Sequence, residues 1–361
     1  MKRKCLAVGI ILLFVGTAII SSGAQDIEKS SLPTSSGQWL YVGGSGSGNY
    51  SKIQDAIDNA RDGDTVYVYS GMYRFNKTEN ASDPCVQINK SINLIGQDKT
   101  TTIINGSGHW LNVIIVGTKI TLSGFTVRTD GPSQFTRIGI TIDCPSEDIA
   151  IYDTIITKNY YGIVIGSFTN SYPLKNVNIY DNTFMDNTYG TVDVGEHSFI
   201  VVTHNIFSNN EWGIQASVNY TISENVVRNN TVGIDVYDAS SSFNIISHND
   251  IRDNEVGIHF FNYRANISEN NFINNHKQTV VSTEGMMKER KILSHFTQNW
   301  NNNYWDNWNK PIARPIIGFM NLQIWWGGFI ANPYPKTILI LPYFAFDKHP
   351  AQKPYDIPGI L

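Results

Sequence analysis

Between residues 151 and 280 the chain repeats one phrase about six times. The phrase is a β-branched residue, a spacer, an acid or histidine, then Asn-x-apolar-x-x-Asn-x-x-Gly. Its copies include "IYDNTFMDNTYGT", "VTHNIFSNNEWGI", "ISENVVRNNTVGI" and "ISHNDIRDNEVGI". The glycines Gly162, Gly190, Gly213, Gly233 and Gly257 recur every 20 to 28 residues. Self-similarity at that period marks a solenoid, in which one unit cannot bury its apolar face without its neighbours.

Each copy is too short for two helices. It is rich in Ile, Val, Phe, Tyr and Thr and alternates with period two, as in Gly233-Ile234-Asp235-Val236-Tyr237. That pattern predicts short strands, with Asn and Gly at the corners because both accept left-handed backbone. The fold class is therefore all-β: a single-stranded right-handed parallel β-helix of about ten coils. The second asparagine of each phrase (Asn159, Asn187, Asn210, Asn230, Asn254, Asn275) is expected to form an internal ladder, each amide bonding the next.

The ends of the chain differ from the middle. Residues 1–24 read as an export signal: Lys2, Arg3 and Lys4, an apolar run from Cys5 to Ile20, then Ser22 and Ala24 at cleavage positions. The apolar run is short for a membrane span, so no span is expected in the mature chain. Residues 25–48 are Ser/Gly-rich and read as a flexible lead-in. The β-helix is assigned to 49–295. A capping helix over 49–62 carries the apolar stripe Ile53, Ala56, Ile57 and Ala60 and a capping-box pair, Ser51 and Gln54. Residues 296–361 are dense in aromatics and prolines and read as a C-terminal cap.

Charge narrows the function classes. The sequence holds 27 basic and 31 acidic residues, and loss of Lys2, Arg3 and Lys4 leaves a net charge of −7 (24 against 31). No basic patch suggests nucleic acid. An exported chain could be glycosylated at its Asn-x-Ser/Thr triplets, among them Asn89, Asn105 and Asn219. Cys85 and Cys144 are the cysteines left after processing, and their pairing stays open.

The stretches "IQDAIDNARDGDTVYVYSGMY", "INKSINLIGQDKTTTIINGSG" and "ITLSGFTV", the Asn-Gly coils and the closing "NYWDNW" resemble the pectin-lyase-like superfamily. Within it the chain is most similar to the NosD-type group, whose repeats are also called carbohydrate-binding and sugar-hydrolase repeats. The resemblance covers nearly all of the mature chain. It implies an exported or cell-surface protein, similar to archaeal surface proteins, whose partner is a polysaccharide or cell-surface glycan. Three roles follow from it: a glycan-associated module without chemistry, a polysaccharide lyase, hydrolase or epimerase, or an accessory protein for a copper centre. The first is the leading expectation.

Stacking the coils aligns residues into columns. The column before the first asparagine is Asp153, Asp181, His204, Glu224, His248 and Glu269, all ionisable. It reads either as a solvated corner or as a metal site at His204, Glu224 and His248, donors that suit Zn or Cu. A second column, Gln215, Asp235 and His259, should face outward on consecutive coils, with Asp193 joining through a register shift. Glycan binding there would use Gln215, Asp235 and His259. Catalysis would use Asp235 and His259 as an acid/base pair, Asp193 as a second carboxylate, or Arg252 as a base against a uronic acid. A sugar-stacking surface is expected at Trp300, Tyr304, Trp305 and Trp308. No acidic cluster for Ca²⁺ and no His/Met/Cys cluster for Cu lies outside the ladder, so no cofactor is expected.

Overall fold

The computed structural model describes residues 37–75, 83–106, 109–130, 137–166, 174–195, 198–237, 243–261, 264–286, 298–324 and 336–357. The proposed export signal lies outside the described residues.

Each coil carries three short strands, and each strand pairs in parallel with its counterpart one coil away. On the first face, Tyr161–Gly166, Tyr189–Val194, Trp212–Ala216, Val232–Tyr237 and Val256–Phe261 stack in register. The second face stacks Glu147–Tyr152, Lys175–Tyr180, Ser198–Thr203 and Tyr220–Ser223. The third face is a ten-stranded parallel sheet running from Gly71–Arg74 to Tyr304–Trp305, which gives the ten coils. Inward columns of Ile, Val and Phe fill the interior, with Phe184 and Phe207 stacked at 4.4 Å.

The asparagine ladder forms as expected. Asn187 Nδ2 donates to Asn210 Oδ1 (3.1 Å), and Asn210 Nδ2 to Asn230 Oδ1 (3.0 Å). A second ladder of the same kind went unread in the sequence. The first asparagines of the phrases, Asn182, Asn205, Asn225, Asn249, Asn270 and Asn303, also bond in series. At its C-terminal end Asp347 replaces the next asparagine, accepting from Asn303 N (3.0 Å), Asn303 Nδ2 (3.1 Å) and Trp305 Nε1 (2.9 Å).

The corner chemistry differs from expectation. The left-handed positions belong to the residue before each ladder asparagine, such as His204 (φ 56), Glu224 (φ 57) and Asn229 (φ 55). The repeat glycines serve close approach instead. A Cβ on Gly213 would stand 2.4 Å from the Gly233 carbonyl oxygen, because the backbones of successive coils touch there.

The helix runs Ile53–Asn59 and buries Ile53, Ala56 and Ile57 over the N-terminal end of the stack. The capping box does not form: Lys52 is the N-cap and makes no side-chain cap bond. Gln54 instead holds the first strand of its stack, accepting from Gln87 N (2.8 Å) and donating to Gln87 O (3.3 Å). Lys90 Nζ satisfies the other helix end, donating to the carbonyls of Ile57, Asp58 and Ala60 at 3.0, 2.7 and 2.8 Å. Trp39–Val42 pairs in parallel with Thr65–Val68, so the first coil begins inside the stretch expected to be a lead-in. At the other end Arg314–Ile324 and Lys336–Asp347 form an antiparallel hairpin. Cys85 and Cys144 are buried and are not joined to each other by a disulfide. Asn105 is buried with its amide given to Asp130 (2.7 Å), which leaves no room for a glycan there.

Candidate functional site

The second column is brought together by the fold. Gln215, Asp235 and His259 are register partners on three consecutive coils of the first face. His259 Nδ1 lies 2.7 Å from Asp235 Oδ1, and Gln215 Nε2 donates to Asp235 Oδ2 at 3.1 Å. Asp235 is 5 % exposed, while the His259 side chain keeps 24 %. A nearly buried carboxylate therefore fixes the orientation of a partly exposed imidazole.

Sequence reasoning missed the aromatic column beside it. Tyr161, Tyr189 and Trp212 are register partners at the start of three consecutive first-face strands, and Trp212 shares its strand with Gln215, so the aromatic column runs up to the polar one along the axis. Tyr161 and Tyr189 have ring centroids 5.1 Å apart, and Tyr189 stacks on Trp212 at 6.0 Å. The rings face one another along the axis, so they present edges and hydroxyls to the outside. Burial pushes the Tyr189 phenol up, and Tyr160, Tyr161, Glu211 and Asp235 add to the rise. Tyr189 thus stays a neutral hydrogen-bond donor across the ordinary pH range. An aromatic immediately before Gly162, Gly190 and Gly213 was the available signal, replaced by Val232 and Val256 before the next two glycines.

The other expected residues lie elsewhere. Asp193 is not in the strip: it pairs in register with Ile165, an inward position, and is fully buried. Ser217 Oγ donates to its Oδ2 (2.5 Å), and its carboxylate helps hold the buried Tyr220 phenol well above its ordinary value, after burial itself. Arg252 is on the third face, in register with Arg228, and bonds the buried carboxylate of Asp250. It therefore neutralises a neighbour and does not face Asp235.

The metal column does not converge. His204 Nε2 pairs with Glu224 at 2.5 Å, while His248 Nε2 pairs with Glu269 at 2.8 Å. Left-handed corners line these side chains up along the axis, two by two, which leaves Glu224 turned to His204 and not to His248.

The stacking surface at the C-terminal cap is also corrected. Trp300 and Trp305 are each 1 % exposed. Trp305 stacks on Phe272 at 4.2 Å, and the Arg314 guanidinium lies 3.6 Å over its ring. The two indoles close the open end of the core, where large apolar rings gain most by leaving water. Trp308 is half-buried, with its indole N–H on the Ile312 carbonyl (3.1 Å) and Lys310 above its ring.

A family model described as "Periplasmic copper-binding protein (NosD)" matches residues 57–309, well over half of the chain. The chain belongs to the NosD family. No curated protein matches this NosD-family chain. Among solved structures it is similar to the A-module of the Azotobacter vinelandii mannuronan C-5 epimerase AlgE4. The TM-score is 0.50 and the identity 18 %, over 70 % of this chain and 81 % of that one. The AlgE6 A-module from the same organism gives 0.47 and 17 %, over 70 % and 80 %. Pectate lyase Pel9A gives 0.45 and 12 %, over 82 % and 78 %. At this identity the AlgE4 likeness shows the parallel β-helix fold.

The family description raises copper, and the residues can be tested against it. Among the described residues no three His, Cys, Asp or Glu side chains form a group able to hold a metal. Sulfur and imidazole share a cavity of about 490 Å³ by the capping helix, lined in part by Met72, Cys85 and His109. Its chemistry opposes a cation. Arg74 Nε donates to Met72 Sδ (2.9 Å), and Lys52 and Arg74 both line the wall. Burial pushes the Cys85 thiol up to about 12, so it keeps its proton. The described residues of this NosD-family chain do not fit copper.

Proposed function

We propose that this NosD-family protein works outside the cytoplasm and binds a polysaccharide along the first face, over Tyr161, Tyr189, Trp212, Gln215, Asp235 and His259. The observation that carries the reading is the Gln215–Asp235–His259 network. It places one fixed polar group on each of three consecutive coils, about 4.8 Å apart. An extended polymer of repeating hydroxyl groups is the ligand such a strip suits. The aromatic column supplies amphipathic edges alongside, and the family's periplasmic description and the basic-apolar N-terminus support a site outside the cytoplasm. The test is binding by the purified protein. Asp235→Ala and Trp212→Ala should each weaken capture of an intact polysaccharide while leaving the far-ultraviolet spectrum unchanged. Unaltered capture by both variants refutes the placement.

A second reading is catalysis at the same strip, favoured by the 2.7 Å bond between His259 and Asp235. A carboxylate that fixes one imidazole nitrogen prepares the other to accept or donate a proton. On this reading the polymer is shortened or altered on incubation, and His259→Ala stops the change with binding retained.

A further inference from the structure

We propose that the strip selects an uncharged polysaccharide and disfavours polyuronates; the inference rests on the glycan-binding reading above. The argument is the sign of the charges that face the ligand. Asp235 sits in the centre of the strip. Glu211 is exposed immediately before Trp212, and both acids act on the Tyr189 phenol. Glu255 occupies the same corner column as Glu211, two coils on, and is half-exposed.

Arg137 shares the corner column of Glu211 but lies three coils earlier and donates to the Asp130 carbonyl (3.4 Å), and two further arginines near these acids in sequence are on another face. Arg228 and Arg252 belong to the third face, and Arg252 is committed to Asp250. Lys277 is the described lysine on the first face beyond His259. It lies one coil farther on, in register with Val256 at the far end of the column that begins with the aromatics, three coils from Trp212. His276 stands at 3.8 Å from Glu255 and is spent near that acid. The whole chain is acidic as well, with a formal charge of −4.

A polyuronate would bring a carboxylate on each residue past the exposed Glu211 and over the nearly buried Asp235, and these like charges repel it. A neutral glycan brings hydroxyls instead. Its donors meet the Gln215 carbonyl, and its acceptors meet the Tyr189 phenol and the exposed edge of the His259 ring. The selection is thus negative: the site turns away a competitor that shares the polymer's shape.

The experiment measures affinity of the full mature chain for a β-glucan, a galactomannan, polygalacturonate and alginate, in chelator so that no divalent ion bridges acids. At about 50 mM salt at least one neutral polymer should bind roughly tenfold or more tighter than either polyuronate, and raising salt to about 500 mM should narrow the gap by screening. Glu211→Gln should narrow it at low salt without weakening neutral binding. If a polyuronate binds as well as the neutral polymers, the charge inference is overturned and the polysaccharide reading stands. If no polymer binds at either salt, the polysaccharide reading itself fails and takes this inference with it.

Discussion

Asn225→Ala tests the ladder that the repeat phrase encodes. Asn225 is fully buried and its side chain makes five hydrogen bonds. Its Oδ1 accepts from Asn205 N (2.9 Å) and Asn205 Nδ2 (3.1 Å). Its Nδ2 donates to Val202 O (2.8 Å), Ser223 O (2.9 Å) and Asn249 Oδ1 (3.0 Å). Alanine removes all of these in a dry interior. The stranded Asn205 backbone donor costs about 1–3 kcal/mol, and the two weakened carbonyls add about 0.5–1.5 kcal/mol each, for a total of about 2–6 kcal/mol. Urea unfolding followed by far-ultraviolet circular dichroism measures the loss. Asn266→Ala, at a half-buried outward position whose one side-chain bond is a surface contact from Asn299 Nδ2 (3.1 Å), is the control and should cost under about 1 kcal/mol. A loss below about 1 kcal/mol for Asn225→Ala would refute the reasoning, since the buried amide would then contribute no more than a surface one. A broadened transition with a lower slope would show coils unfolding separately, as a solenoid of stacked units permits.

Other expectations follow from the same contacts. Gly213→Ala should destabilise by about 1–3 kcal/mol in urea, because its Cβ meets the Gly233 carbonyl oxygen at 2.4 Å. Arg252→Ala should cost about 3–5 kcal/mol at neutral pH, since it strands the buried Asp250 carboxylate. Desolvation already raises the Asp250 pKa despite Arg252, so the loss should shrink in acid as that carboxyl takes a proton. The Cys85 thiol, raised from 9.0 to about 12, should be silent to a thiol reagent at pH 8 until urea unfolds the chain. Its linkage has a definite sign. Below pH 9 both states hold the proton; from about pH 9 to about 12 only the unfolded state loses it, so stability falls as pH rises. The fall should be smaller in Cys85→Ala over that window.

The fold was legible because its information is local and repeated. Short β-branched runs, corner asparagines and a glycine at each turn recur often enough to fix the coil without any long-range contact. The site was only partly legible, for a geometric reason. Counting from each glycine placed Gln215, Asp235 and His259 together correctly, because those strands have one register. The same count from Gly190 reaches Val192, and the register shift that would have brought Asp193 into the column does not occur, since Thr191 pairs with Ile214. Asp193 therefore aligns with Ala216 rather than Gln215 and turns inward. Arg252 looked near Asp235 in sequence, but a corner separates them and a corner changes the face. Trp305 read as a sugar platform because exposure cannot be seen in composition. Its burial depends on the hairpin that brings Asp347 and Arg314 to it. The polar end of the ladder at Asp347 lies 44 residues from Asn303, beyond the reach of any repeat phrase.

The most direct test is size-exclusion chromatography of the purified protein with a panel of neutral and acidic polysaccharides, wild type beside His259→Ala and Asp235→Ala. The account predicts that an intact neutral polymer co-elutes with the wild type and that Asp235→Ala releases it. A panel in which nothing co-elutes with the wild type, and in which no polymer changes size, contradicts the assignment of the strip as a glycan site.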